Sequence, residues 1–194
     1  ITDAHIRFQP LMTMTGGMNH SCPIENPCET AEKGLFEGAT RFVMASGDMG
    51  SWTLSLEIHN HVNDKEGETE FEIDVAQPDP AQMKSFTSTA GDKYFVTYFF
   101  PSEPKVGINE MHFMVNEKED MMSWPAVTTL SLAIEPEMVS MGHGSPNNVN
   151  PSVTASGHYV GQVNFTMTGD WRINLNLKEN DETLQDLYFD LMVN

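Results

Sequence analysis

Thioethers and imidazoles gather in two short stretches of this chain. Met12, Met14, Met18 and His20 lie in one, and Met138, Met141 and His143 lie in the other. Soft sulfur with imidazole is a donor set suited to Cu(I), because a soft, singly charged cation gains most from polarisable ligands. Three such ligands suffice for Cu(I), whereas Zn(II) ordinarily takes four with thiolate or carboxylate among them. The competing reading is packing. Methionine fills irregular gaps and sits well beside aromatic rings. Pro10-Leu11-Met12 and Pro136-Glu137-Met138 each end a strand where an inward methionine closes the core. The readings separate on whether Met138, Met141 and His143 converge at an exposed end or point inward. If either loop takes a metal, the second is the better suited, since Gly142 and Gly144 flank His143 and leave its imidazole free to turn.

The two stretches are copies. Met18-Asn19-His20-Ser21-Cys22-Pro23 returns as Met141-Gly142-His143-Gly144-Ser145-Pro146, and the block from Gly34 returns from Gly157. Met18, His20, Pro23, Gly34, Gly38, Phe42 and Met44 all recur at one offset of 123 residues, which chance does not produce. The chain is therefore read as a tandem duplication. Phe42 and Met44, like Phe165 and Met167, share a face if these blocks are strands, which assigns both methionines to the core. Trp52 and Trp171 begin the next strand and are expected to pack between sheets.

Cysteine enters only the first copy, as Cys22 and Cys28. The favoured expectation is a local disulfide, which implies an oxidising compartment and withdraws both sulfurs from coordination. The alternative is a free pair open to a soft metal. His59-Asn60-His61 puts two imidazoles at a strand end, but Lys178-Glu179-Asn180 stands at the second copy's equivalent, and a solvated hairpin accounts for it.

With 28 acidic against 10 basic residues the net charge is −18, which excludes nucleic acid and anionic lipid as partners and favours cations or a basic protein. No run nears the roughly 20 apolar residues of a membrane helix. Signatures of acyl or phosphoryl transfer are absent: there is no G-x-S-x-G, no H-E-x-x-H and no phosphate loop. The expectation is that the chain is not an enzyme.

The elements that must position these residues alternate with period two. Thr53 to Ile58, Glu70 to Val75 and Arg172 to Leu177 each read as half-buried strands, and Tyr94 to Phe100, Glu110 to Val115 and Thr128 to Ile134 add aromatic and branched ones. No 3.6-residue apolar period is sustained. The fold class is all-β, as two tandem immunoglobulin-like β-sandwich domains, 1–80 and 83–194, joined at the proline-bearing segment 77–82. Residues 94–115 have no counterpart in the first copy. That copy is thus expected to lack opening strands, with an upstream segment or a neighbouring chain on the sheet edge.

Met138, Met141 and His143, followed by Gly157, Tyr159, Gly161, Phe165, Met167, Gly169 and Trp171, resemble the YtkA-like and FixH-like domains of bacterial envelope proteins. Pro104, Gly107 and Asn109 fit the family's first strand. The resemblance covers about residues 94–194, and 5–77 more loosely. It implies an immunoglobulin-like sandwich in the periplasm or cell envelope, in a lipid-anchored arrangement of paired domains. It also implies a role in copper handling with an envelope protein partner, and Cu(I) as the cofactor. Domain 1 departs from the pattern by four residues inserted between Met44 and Trp52. A structural or partner-binding module without metal is the alternative function.

Overall fold

Period-two patterning becomes long antiparallel strands. In the computed structural model, which describes residues 1–194, the chain is all β and divides into two units. The first comprises residues 1–77 with 119–124, and the second comprises 78–118 with 125–194.

The second unit is a β-sandwich. One sheet has the order β11 (His143–Gly144), β10 (Ser131–Met138), β14 (Gly169–Glu179), β15 (Glu182–Val193). The other has the order β12 (Val149–Val153), β13 (Tyr159–Phe165), β9 (Gly107–Glu117), β8 (Lys93–Phe99), β7 (Met83–Thr87). Alternation is sharp where both neighbours are present: in β14 every second residue from Trp171 to Leu177 is buried. Those residues meet Val96, Phe113, Tyr159 and Phe165 of the opposite sheet in one core, with Tyr98 edge-on to Phe189 at 4.8 Å. The buried Tyr159 hydroxyl accepts from Leu130 N (3.1 Å) and donates to Val127 O (3.0 Å), tying the approach to β10 against β13.

The first unit has one four-stranded sheet, ordered β2 (Asn19–His20), β1 (Ala4–Met14), β5 (Gly50–Asn60), β6 (Lys65–Ile73), and a ribbon of β3 (Ile24–Glu25) with β4 (Ala39–Thr40). It repeats the β11-β10-β14-β15 arrangement. No strands of this unit correspond to β8 and β9. Its core cluster consists of Met12, Cys22 and Trp52, with Met14, Phe42, Val43, Met44, Ile73 and Val75 packed around them.

Two sequence expectations are corrected here. Cys22 and Cys28 are not joined: both are free, Cys22 buried and Cys28 exposed. Cys22 Sγ instead lies 3.2 Å from Thr40 Oγ1, inside the pocket that the ribbon closes. The pair therefore gives no support to an oxidising compartment. Met44 and Met167 also lie outside regular strands. The chain is irregular through 41–49, and β13 ends at Phe165, so the alternation that assigned both methionines to a strand interior breaks before reaching them.

Candidate metal centre

Register across three strands assembles the first site. Met12 of β1 stands opposite His20 of β2 on one side and opposite Trp52 of β5 on the other. Directly paired residues share a face of a sheet, so His20, Met12 and Trp52 form a row. The row is dry, with Met12 and Trp52 fully buried and His20 nearly so. The His20 ring meets Trp52 edge-on at 5.2 Å, and Phe42 closes on Trp52 from 5.0 Å. Trp52 Nε1 donates to Met44 O (2.9 Å), which pins the irregular 41–49 segment over the row.

The hydrogen bonds of His20 fix its tautomer. Nδ1 is 2.9 Å from Ser21 O, and a carbonyl only accepts, so Nδ1 carries the proton. In the neutral ring Nε2 is then a bare lone pair. It faces Met44 Sδ at 3.3 Å. A thioether has no proton to give, so two acceptors confront one another with nothing between them. A soft cation placed between imidazole nitrogen and thioether sulfur relieves that confrontation.

The second unit repeats the row. Met138 stands opposite His143, and the Glu137–Arg172 register brings Met138 alongside Trp171. His143 Nδ1 donates to the carbonyl of its own successor, Gly144 (3.0 Å), as His20 does to that of Ser21. Its ring lies edge-on to Trp171 at 6.0 Å, and Trp171 Nε1 donates to Met167 O (3.0 Å). This copy is looser: His143 is half-buried and Met167 is 37% exposed.

The sequence-derived ligands thus divide. Met12, Met14 and His20 come together, as do Met138 and His143. Met18 and Met141 do not join them: each sits in its turn, 59% and 61% exposed. Sequence reasoning missed Met44 and Trp52, with their counterparts Met167 and Trp171. The available signal was that each methionine recurs at the offset of the histidines, followed by a tryptophan.

Other candidate donors stand apart. Burial pushes the Cys22 thiol up to about 11, against smaller opposing effects from its Thr40 and Arg41 hydrogen bonds and the Arg41 charge, so it stays protonated at neutral pH. His59 and His61 flank an exposed turn, paired with Asp64 (2.9 Å) and Asp3 (2.7 Å) respectively. No three His, Cys, Asp or Glu side chains converge to hold an ion. The thioether-rich rows are a different donor class. Residues 88–176 match the family model described as YtkA-like, which spans Met138, His143 and Trp171. No curated protein matches the chain.

Proposed function

We propose that this chain, of which residues 88–176 match the YtkA-like family model, is a non-catalytic module of the cell envelope that binds Cu(I) in its Met/His rows and passes it to an envelope protein partner. Supporting this reading is the pairing of His20 Nε2 with Met44 Sδ at 3.3 Å, which in the neutral ring sets a nitrogen lone pair against a thioether sulfur. Met12 stands beside them in the same row, which offers three soft donors with Trp52 as a wall. Water is largely excluded, so a bound ion is shielded from oxidation and from competing hard ligands. In the second unit Met138 and His143 offer the same start, with Met167 at the position of Met44. A module held at the membrane by a lipid anchor suits the acidic chain, whose charge of −18 raises the local cation concentration.

Cu(I) competition titration against a chromophoric chelator, under reductant and with tryptophan fluorescence followed in parallel, tests the reading. The wild type should bind with quenching. His20→Ala/Met44→Ala should lose the tighter component and His143→Ala the weaker one. Unchanged affinity in both variants would rule copper out.

A second reading, partner binding without metal, is favoured by the face of the first sheet on which Met12 lies. Phe8, Leu54, Leu56 and Ile58 are only half-buried there and Phe71 is 48% exposed. Their matches in the second unit lie under a second sheet.

A further inference from the structure

On the outer face of the second unit, away from its Met/His row, two imidazoles are aimed at each other. His112 of β9 and His158, just before β13, approach with Nδ1 to Nδ1 at 3.5 Å. Their strands are hydrogen-bonded neighbours, with His112 paired to Val160. His112 Nε2 lies 2.7 Å from Glu110 Oε1, and a carboxylate only accepts, so Nε2 carries a proton. Nδ1 of the neutral His112 ring is then a lone pair, and one proton, on His158, occupies the gap. Phe99 walls both rings, 4.7 Å from His112 and 5.6 Å from His158, which limits their rotation. The His112 side chain is 16% exposed, so the pair is both accessible and held.

We propose that His112 and His158 form a chelate for a divalent transition ion, Cu(II) foremost, with solvent completing the coordination shell. Metal–imidazole bonds of about 2.0–2.1 Å opening at a near-tetrahedral angle span about 3.4 Å between nitrogens. The observed gap of 3.5 Å is close to that bite, and binding turns the rings slightly off the Nδ1–Nδ1 line toward the shared ion. The ion takes the place of the proton between the rings, which passes by way of solvent to His158 Nε2, so that both rings bind as neutral imidazoles. Glu110 plays the outer part that a carboxylate commonly plays behind a metal-bound histidine, fixing the tautomer and raising the basicity of the donor nitrogen. Imidazole suits Cu(II) and Zn(II), and affinity at nitrogen sites rises to Cu(II) and falls again at Zn(II). The site goes beyond the Cu(I) reading and stands or falls separately: it contains no sulfur and shares no residue with either Met/His row.

The test is titration of the full chain with Cu(II), and separately Zn(II), without reductant. Calorimetry and, for Cu(II), electron paramagnetic resonance are the readouts. One ion should bind with nitrogen hyperfine structure, Cu(II) more tightly than Zn(II). His112→Ala and His158→Ala should each abolish this binding. Glu110→Gln should weaken it about 10- to 100-fold while leaving the fold intact. His20→Ala/His143→Ala should leave it unchanged, which separates it from the Cu(I) rows. The proposal is overturned if His112→Ala/His158→Ala binds Cu(II) like the wild type, or if binding is lost instead on His5→Ala/His59→Ala.

Discussion

A buried thiol and an exposed one, six positions apart, should behave differently even though neither is bonded. Cys28 is open to solvent, whereas Cys22 is 2% exposed with burial holding its thiol up at about 11. A thiol reagent at pH 8 should therefore label Cys28 quickly and Cys22 only as fast as the first unit opens, with both reacting at once in denaturant. Two equally slow thiols, or none, would contradict the free pair. The same shift carries a sign for stability. The folded-state value lies above the ordinary thiol value of 9.0, so the contribution of Cys22 is fully present below about pH 9 and is lost as pH rises toward 11. Wild type should lose up to about 3 kcal/mol more than Cys22→Ala over that interval, at 1.36 kcal/mol per pH unit. At this scale the sequence was partly legible. Met12, His20, Met138 and His143 were visible because residue types and duplicated spacing announce them. Met44 was not, because its approach to His20 is made by an irregular segment whose path is fixed by one indole–carbonyl hydrogen bond. The cysteine pairing was misread because separation along the chain permits a bond without requiring one, and Thr40 and burial claim Cys22 instead.

Each row depends on a strand beginning at the right place, and a glycine two residues before each tryptophan sets it. Gly50 has φ +153°, and a side chain there would meet Thr13 O at 2.3 Å and Met14 Cα at 2.9 Å. Gly169 has φ +127°, with Met138 Cε at 3.2 Å from any added carbon. In the first unit the strand carrying the tryptophan thus starts against the backbone of β1 at a separation only glycine allows, whereas in the second the positive φ favours glycine and only the flexible end of Met138 lies close. Gly50→Ala should destabilise the first unit by about 1–3 kcal/mol through backbone strain and displacement of β1. Gly67→Ala, in β6 with open space around it, should change stability by less than about 0.5 kcal/mol. Comparable losses from the two would show that close approach is not what Gly50 provides. Tyr159→Phe should cost the second unit about 1–3 kcal/mol, since Leu130 N and Val127 O lose their shared partner inside the core. Strands themselves were well legible, because alternation and turn residues are local. β6 was misplaced at its start. Its residues from Lys65 to Glu70 are exposed on both faces, so no buried side marks the strand, and only pairing to β5 defines it.

The two units share the Met/His/Trp row geometry and have very different amounts of core. The second unit has a two-sheet core, with Trp171, Ile173, Leu175, Phe189 and Val193 all at 1% exposure or less. The first surrounds Met12, Cys22 and Trp52 with partly buried neighbours, and β6 is almost wholly exposed. Burial of apolar surface supplies most folding free energy, at roughly 25 cal/mol per Å², so the first unit should be the weaker of the two. Urea should resolve two transitions. Trp171→Phe leaves Trp52 and Trp124, both in the first unit, as the emitting residues, and these should report the earlier one. Far-ultraviolet circular dichroism should follow both. If Cu(I) binds the folded row and not the open chain, then at about 100 times its dissociation constant it should add about 2.7 kcal/mol to the unit that holds it. If the tighter site is the His20–Met44 row, that increment shifts the earlier transition, and His20→Ala removes the shift without touching the later one. An increment confined to the later transition would place the tighter site at Met138 and His143, as the sequence alone favoured. A single coincident transition, unmoved by Cu(I), would mean that the halves unfold as one and that the rows serve packing.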